Sequence, residues 1–357
     1  MNKADTLIIL SPGFPKDETD STCVPPQQVF VKNLKKTFPG LKIVVLAFEY
    51  PYKAAEYQWN GAKVFAFGGS NKGGIKRIVN WRKIRAKLRQ LHDGRHIVGI
   101  LSFWLGDCAL IGSRFAKRHG LRHFCWILGQ DAKKGNRYFK LIKPQASSLI
   151  ALSDFVAAHV KKNYGIEPQH IIPPGIDPDM FGEPAGERDI DILGVGSLIA
   201  LKQFYMLTEL VNSLKADFPD LKCVICGDGP EKKSIQTMIN DLDLAGHIDL
   251  AGELPHGEVL NLMQRSKILV HPSAYEGFGV VMLEALHAGA QVVSLVKPMN
   301  ADIQNWHVAR SQSDMVAVVK KILSDPVAPN TRVAPYLIKD TAASVMELFG
   351  ISSLPED

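Results

Sequence analysis

One short segment of the sequence combines residue types that could bind a charged ligand. After an apolar strand it contains, in order, Glu276, Gly277, Phe278, Gly279 and Glu284. Glycines at the start of a helix let the backbone approach a ligand closely, and the free N–H groups and the helix dipole there favour an anion such as a phosphate. The pattern therefore predicts an anion-binding turn with a carboxylate on each side.

The two carboxylates are too far apart to act as a paired acid and base. Glu276 and Glu284 are eight residues apart, and a wholly helical span of that length rises about 12 Å. We interpret them as two hydroxyl-binding groups on either side of a diphosphate. The alternative is an ordinary surface helix with two solvated glutamates, which is the commoner situation for any single Glu. The combined pattern favours the binding site.

This segment resembles the donor-site signature of the retaining GT-B glycosyltransferases, the large glycogen-synthase-like group that uses nucleotide sugars. Four more segments resemble further motifs of that family, in the family's order. Ile172–Asp177 resembles the domain junction, and Leu193–Lys202 resembles the phosphate loop. Cys226–Pro230 and Ala251–Glu253 resemble the two loops beside the nucleoside. Pro174 stands where the family commonly has Asn.

The resemblance implies a role for each matching position. Glu284 would hold the ribose hydroxyls, Glu276 would hold hydroxyls of the transferred sugar, and Lys202 would neutralise the departing diphosphate. Lys202 and Glu276 are therefore the predicted catalytic residues. The predicted donor-binding residues are Gly13, Gly196, Ser197, Lys202, Gly229, Glu253, Glu276, Gly277, Phe278, Gly279 and Glu284.

The sequence departs from the family pattern on both sides of the expected site. Ser197 stands where an Arg commonly accompanies the Lys, and one fewer fixed cation on the leaving group costs about 2.7 to 4 kcal/mol of transition-state stabilisation if nothing replaces it. Lys16, after the first strand, is a candidate replacement. Relatives often have a His near the reacting centre, where this chain has Gln130 and Asp131.

Lys16, Gln130 and Asp131 are accordingly the candidates for contacts with the acceptor or the sugar. For Gln130 and Asp131, a capped loop before the next helix explains the residues at least as well.

The order of the elements predicts an α/β fold. Short apolar runs alternate with longer amphipathic segments, as in βα units with parallel sheets. The proline-rich segment 171–179 interrupts this alternation, which then restarts, so two doubly wound sheets are expected to face a cleft. The expected strands are 6–10, 42–47, 96–102, 121–127, 148–152, 189–195, 221–226, 248–251, 268–270 and 291–294.

Together with the resemblance to the GT-B glycosyltransferases, this organisation implies the GT-B architecture of two Rossmann-like domains. Residues 1–175 would form the acceptor-side domain and residues 176–334 the donor domain. Residues 335–357 would form a C-terminal segment whose helix, 336–349, returns to the first domain.

Length and composition are consistent with this picture. At roughly 100 to 200 residues per domain, 357 residues predict two domains. A chain that is 46% hydrophobic and 22% charged is neither disordered nor fibrous. Its sequence has no run of 18 or more apolar residues, and its five scattered cysteines suit reduced thiols. We therefore expect a cytoplasmic protein.

The formal charge is divided unevenly. Residues 1–175 carry a net charge of +17, and residues 176–357 carry −11. Basic residues concentrate between Lys72 and Leu91. Within this segment an apolar stripe recurs at helical spacing, formed by Ile78, Trp81, Ile84, Leu88 and Leu91. A basic amphipathic helix of this kind can dock on anionic lipid at the inner face of the cell membrane, and the expected membrane face comprises Arg82, Lys83, Arg85 and Lys87.

The basic helix also has an interpretation that needs no membrane. A core-packed helix with a solvated basic face explains the pattern equally well, since every surface helix has an apolar stripe. Nucleic acid is not an expected partner, because no recognition module accompanies the charge.

Other patterns carry less weight. Gly194 and Gly196 match a dinucleotide-binding motif only in part, and Cys223 and Cys226 lie in an expected strand, where core packing explains them. The histidines lack metal-ligand spacing, so no metal and no cofactor are expected beyond the nucleotide-sugar donor.

The first hypothesis is a retaining hexosyltransferase that moves a sugar from a nucleotide sugar to a glycolipid or polysaccharide. The second is a degenerate GT-B protein that binds a nucleotide sugar or glycan without turnover. A third keeps the fold and changes the reaction to epimerisation or phosphorolysis.

Overall fold

A computed structural model describes residues 5–183, 186–325 and 331–352. The chain divides into two compact units, of which unit 1 comprises Met1–Gly175 and Ile338–Asp357, and unit 2 comprises Ile176–Leu337. The division falls inside the proline-rich segment 171–179. Residues 1–4 and 353–357, which belong to the expected first and last segments, lie outside the described residues.

Unit 1 contains a sheet of eight strands among the described residues. They are β1 (Asp5–Gly13), β2 (Lys42–Tyr50), β3 (Ala55–Trp59), β4 (Ala62–Ala66), β5 (His96–Phe103), β6 (His123–Ile127), β7 (Leu149–Ala151) and β8 (His170–Ile171). Their order is β3-β4-β2-β1-β5-β6-β7-β8, and neighbours are parallel except β3 and β4. Leu7, Ile8, Ile9 and Leu10 of β1 are fully buried, as expected for a central strand covered on both faces.

The helices of the amino-terminal part of unit 1 follow its strands. They are α1 (Pro25–Thr37), α2 (Gly74–Gly94), α3 (Asp107–His119), α4 (Tyr138–Ile142) and α5 (Asp154–Tyr164). One apolar cluster joins Ile84 and Leu88 of α2 to Ile8 and Val44 of the sheet. The helices thus supply the covering layer that a parallel sheet requires.

Unit 2 is a second parallel sheet with its own helices. Its strands are β9 (Ile190–Val195), β10 (Cys223–Cys226), β11 (Ile248–Gly252), β12 (Ser266–His271), β13 (Gln291–Ser294) and β14 (Trp306–Val308). Its helices are α6 (Tyr205–Leu214), α7 (Lys232–Asp241), α8 (His256–Arg265), α9 (Val280–His287) and α10 (Gln312–Leu323). The strand order β11-β10-β9-β12-β13-β14 is that of a doubly wound nucleotide-binding sheet. The predicted α/β fold with two parallel-sheet domains is confirmed.

The last described helix, α11 (Ile338–Leu348), packs within unit 1. The Thr341 hydroxyl donates a hydrogen bond to the carbonyl of Pro173 at 3.0 Å. The ring of Phe349 lies edge-on against Phe124, with 5.1 Å between centroids. These contacts attach the end of the described chain to the first sheet.

The hairpin of β3 and β4 was not among the expected strands. Its turn residues, Asn60 and Gly61, both adopt positive φ, 44° and 78°. Asn-Gly is the strongest short hairpin signal because both residues tolerate this conformation. The sequence thus carries a local signal for this hairpin, which the alternation of strands and helices does not predict.

Loops at the carboxyl ends of β9, β10 and β11 are joined through their backbones. The Gly196 amide donates to the Cys226 carbonyl at 3.0 Å, and the Gly227 amide donates to the Gly252 carbonyl at 2.7 Å. Gly227 has a φ of 148°, and a Cβ at this position would overlap the carbonyl oxygen of Gly196. Only a glycine fits here without moving one of the loops.

We expect Gly227→Ala to lower the free energy of unfolding by about 1 to 3 kcal/mol, because it adds both backbone strain and a backbone overlap. Gly246→Ala is the matched control, since no atom lies within 4 Å of the Cβ it would introduce. Calorimetric unfolding of both variants tests this expectation. Equal transition temperatures would contradict it.

Candidate functional site

Three side chains meet at the carboxyl edge of the sheet of unit 2. Lys202 ends the short 3-10 helix Ala200–Lys202 that follows β9, His271 is the last residue of β12, and Glu276 lies in the loop before α9. The Lys202 ammonium donates to Oε2 of Glu276, and Nε2 of His271 lies 3.2 Å from the same oxygen. The structure therefore brings the two predicted catalytic residues together and adds a histidine to them.

This Lys202–His271–Glu276 cluster is largely removed from water. The side chains of Lys202 and Glu276 are 20% and 19% exposed, and that of His271 is 2% exposed. Burial alone raises the pKa of Glu276, but the hydrogen bond from His271 and the charge of Lys202 outweigh it and lower the pKa to about 2. Glu276 is consequently an anion at neutral pH.

His271 is neutral in the same surroundings. Burial lowers its pKa, with the charge of Lys202 acting in the same direction against the opposing effect of Glu276. Because a carboxylate only accepts hydrogen bonds, the Nε2 atom of the neutral ring carries the proton given to Glu276. Its Nδ1 atom is buried with no hydrogen-bond partner among the described residues. A ligand with its own negative charge would compete with Glu276 for Lys202.

A second carboxylate–imidazole pair involves the other glutamate of the sequence pattern. Nε2 of His256, the first residue of α8, lies 2.8 Å from Oε1 of Glu284 in α9. The two side chains are 17% and 14% exposed. Each glutamate of the pattern is thus held by a histidine.

The sequence reasoning missed both histidines. His271 was recognisable as the residue that ends an apolar strand, but its role was not. His256 is 28 residues from Glu284, so no local spacing connects the two.

The turn between the glutamates leads into α9 through a glycine, and its binding of an anion stays a prediction. Gly279 precedes α9 with a φ of 80°, and a Cβ there would overlap the end of Met282. Phe278 is fully buried, with Trp306 and Tyr336 at 6.0 and 5.7 Å between ring centroids. Gly279, the residue before α9, has no side chain to cap the helix, and the first N–H groups of a helix that begins in this way can bind an anion.

The other predicted donor residues of unit 2 lie in loops at the same edge of the sheet. Gly196 and Ser197 follow β9, Gly229 follows β10 and Glu253 follows β11. Ser197 and Glu253 are exposed. Strand order places all these loops beside one another, and their contact with a donor stays a prediction.

Unit 1 contains the remaining predicted donor and acceptor residues. Gly13 is buried at the end of β1, whereas Lys16 and Gln130 are exposed. Asp131 is buried, and its carboxylate accepts backbone hydrogen bonds from Leu105 at 2.7 Å and from Leu128 and Gly129 at 3.1 and 2.9 Å. Burial raises its pKa to about 6 despite these bonds. Asp131 therefore holds two loops together, as a capping residue does.

The basic helix α2 is less regular in burial than its sequence suggests. Ile84, Leu88 and Leu91 are buried, but Ile78, which belongs to the expected apolar stripe, is 50% exposed. The expected apolar stripe is therefore wrong at Ile78, in the first turns of α2. The later turns of α2 join an apolar cluster with the sheet, and Ile78 lies outside that cluster.

The four residues of the expected membrane face differ in exposure. Arg82 and Lys83 are exposed, whereas the Arg85 guanidinium lies 5.9 Å from the Trp81 ring and the Lys87 ammonium lies 4.2 Å from the Phe65 ring. Arg85 and Lys87 thus cover aromatic side chains in addition to any role at the surface.

Neither a membrane-spanning helix nor a metal-binding cluster occurs in the described ranges. None of the helices there has the length and apolar character needed to cross a membrane. Over the same ranges, no three His, Cys, Asp or Glu side chains are grouped in a way that would hold a metal ion.

Comparisons with known proteins match both units. Residues 176–336 match the family described as Glycosyl transferases group 1, and residues 27–180 match Glycosyltransferase Family 4. A human phosphatidylinositol N-acetylglucosaminyltransferase subunit is 31% identical over 126 residues, covering 35% of this chain and 26% of that protein. The glycogen synthase of Mycobacterium tuberculosis is 24% identical over 272 residues, covering 72% of this chain and 65% of that protein.

A solved structure extends the likeness of fold to nearly the whole chain. An Anabaena protein crystallised with UDP and glucose has a TM-score of 0.70 at 14% identity, and the match covers 96% of this chain and 99% of that one. Against the curated relatives matched first, the chain spans about a third of their length, between 26% and 36%.

The cluster makes a prediction that does not depend on activity. Replacing Lys202 with Met should raise the pKa of Glu276 above about 2 toward its ordinary value of 4.5, because burial is then opposed by His271 alone. A carbon-13 NMR titration of the carboxyl group measures this. Since the pKa is lowered on folding, the pair stabilises the wild-type fold above pH 4.5 and loses that contribution as the pH falls toward 2.

The matched control is Lys297→Met, which removes the lysine of an exposed pair with Asp302. It should leave the titration of Glu276 unchanged. An unchanged titration in the Lys202 variant would show that the lysine does not set the charge of Glu276.

Proposed function

We propose a function from the premise that this chain belongs to the GT-B glycosyltransferases, whose group 1 and family 4 domains match its two units. The resemblance identified in the sequence is confirmed at this level. In our proposal the protein transfers a hexosyl group from a nucleoside diphosphate sugar, with retention of configuration, to a glycolipid or polysaccharide. The observation that carries the proposal is the Lys202–His271–Glu276 cluster beside the amino terminus of α9.

The donor's charge suits this cluster. A diphosphate at the first N–H groups of α9 would draw the Lys202 ammonium away from Glu276, because the phosphate brings a larger negative charge. Glu276, still an anion, would then accept hydrogen bonds from sugar hydroxyls. Glu284, oriented by His256, would accept those of the ribose. The Anabaena neighbour crystallised with UDP and glucose supports a donor of this class.

The proposed reaction needs no carboxylate nucleophile. The bond between the sugar C1 and the phosphate oxygen breaks, and its electron pair leaves with the diphosphate. The acceptor oxygen bonds to C1 on the same face, and its proton passes to a phosphate oxygen. A fixed donor to the developing anion contributes about 2.7 to 4 kcal/mol in comparable sites, and Lys202 is the candidate for this role.

Location forms a further part of the proposal. We place the protein in the cytoplasm with peripheral attachment to the inner membrane face. Exposed apolar residues at the start of α2, Ile75, Ile78 and Val79, lie among the exposed basic residues Lys76, Arg82 and Lys83. This combination suits an anionic lipid surface.

Nucleotide release from UDP-, GDP- and ADP-sugars tests the central proposal. We expect at least one donor to be turned over when membrane lipid extract is added, and Lys202→Ala to lower kcat by about 100-fold or more, following the loss of one fixed cation. Lys222→Ala is the control, because Lys222 is an exposed lysine of the same unit.

Binding of a nucleotide sugar with no release from any donor would favour the alternative, a degenerate protein that binds without turnover. An unchanged kcat in Lys202→Ala would remove Lys202 from the mechanism.

Membrane attachment is tested by sedimentation with vesicles of phosphatidylglycerol and of phosphatidylcholine. We expect binding only to the anionic vesicles and its loss when Lys76, Arg82 and Lys83 are changed to Glu, because each basic residue near the surface contributes about 1 kcal/mol. The control changes three exposed basic residues of α3 to Glu, Arg114, Lys117 and Arg118. Both variants have the same net charge, so equal loss of binding would refute this face.

A further inference from the structure

Unit 1 contains a cavity of about 300 Å³ that the sequence reasoning did not identify. It opens at the carboxyl ends of β1, β2 and β5, and its lining includes the aromatic side chains of Trp104 and Tyr138. Its volume is at the lower end for small-molecule sites and suits a ligand about the size of one ring. None of the predicted acceptor residues lines it.

One wall of the cavity is fixed by a hydrogen-bonded ion pair. Nε of Arg77 donates to Oδ2 of Asp107 at 2.7 Å, and the same oxygen accepts the indole N–H of Trp81 at 3.1 Å. The guanidinium and the Tyr138 hydroxyl also contact each other and the second oxygen of Asp107. The side chains of Arg77 and Asp107 are only 26% and 16% exposed, so the charges of this wall are largely buried and compensate each other.

Another part of the lining has unusual backbone conformations. The Glu49 carboxylate accepts the amide of Asn71 at 2.7 Å and so holds the loop that carries Lys72. Asn71 and Trp104 both have left-handed backbones, with φ of 55° and 61°. Asn tolerates this conformation, but a bulky residue such as Trp adopts it only where the surroundings impose it, and such residues cluster at binding sites.

The charges that line the cavity cancel. Glu49 and Asp107 are acidic, and Lys72 and Arg77 are basic, so the cavity does not select a phosphate or another anion. A hydroxyl group both donates and accepts, and therefore suits a wall that offers carboxylate oxygens beside ammonium and guanidinium groups. The faces of Trp104 and Tyr138 suit the apolar face of a ring.

From these features we infer that the cavity binds a neutral polyhydroxylated ring, the ring of the glycosyl acceptor. Trp104 packs against the ring, and Glu49 and Lys72 bind its hydroxyls. This assignment rests on the proposed transferase function and names the class of acceptor group. It moves the acceptor site from Gln130 and Asp131 to the ends of β2 and β5.

Titration of the full chain with methyl glucopyranoside, methyl mannopyranoside, methyl galactopyranoside and myo-inositol tests the inference, with inorganic phosphate as the charged comparison. Saturation-transfer NMR and tryptophan fluorescence report binding. We expect at least one ring to bind more tightly than phosphate, and Trp104→Asn to weaken that binding at least tenfold. Asn is chosen because it tolerates the backbone at this position.

Two further variants keep the test decisive. Lys72→Met changes an exposed residue and should weaken ring binding even if the Trp104 variant fails to fold. Tyr52→Asn removes an aromatic ring that is 65% exposed and lies outside the cavity lining, and it should leave the affinity unchanged.

The outcomes separate this inference from the proposed function. Ring binding that depends on Trp104 and Lys72, in a protein that releases no nucleotide from any donor, would support the cavity and overturn the transferase. Preference for phosphate, absence of ring binding, or equal affinity in wild type and in both folded variants would overturn the cavity assignment whatever the donor assay shows.

Discussion

The carboxylate of Glu276 is largely removed from water, and a charge in that position has to be compensated by the groups around it. Lys202, at the end of the short 3-10 helix after β9, and His271, the last residue of the neighbouring strand β12, provide that compensation. Because strand order fixes where these residues lie, the electrostatics of the cluster depend on the sheet. The same pairing explains why the carboxylate remains an anion. In the proposed function, this anion accepts sugar hydroxyls while the lysine moves to the diphosphate.

Both units contain open, mainly parallel sheets. In sheets of this kind, ligands generally bind beyond the carboxyl ends of the strands. Unit 2 uses these ends for glycine-rich loops whose backbones bond to one another, which places Lys202 and the turn before α9 at one edge. At the carboxyl ends of its own strands, unit 1 has a cavity. The lining includes a charge-compensated ion pair and two residues with left-handed backbone conformations. The two edges thus differ in chemistry. In the proposed function, the edge of unit 2 binds the anionic diphosphate through the first N–H groups of α9 and through Lys202. In the inference drawn for unit 1, the cavity binds a neutral ring through balanced charges and aromatic faces.

The sequence was sufficient for the features that depend on local pattern. Apolar runs placed the main strands, and the glycines and glutamates around Phe278 placed the turn before α9. It was insufficient where residues far apart in the chain meet. His256 and Glu284 come together only because α8 and α9 pack side by side, and the cavity depends on loops after three strands. The Asn60-Gly61 turn was missed for a different reason, because its sequence signal is local but does not belong to the alternation of strands and helices. Ile78 shows a third limit, because helical spacing does not say which turns of a helix the core covers.

The proposed function depends on Lys202 changing partners when a donor binds. A crystal structure of the full chain with a nucleoside diphosphate tests this exchange most directly. We predict a phosphate at the amino terminus of α9, with the Lys202 ammonium within hydrogen-bond distance of a phosphate oxygen and no longer on Glu276, while His271 keeps its bond to the carboxylate. A diphosphate bound elsewhere, with the Lys202–Glu276 pair intact, would contradict this exchange and the role of the cluster in donor binding.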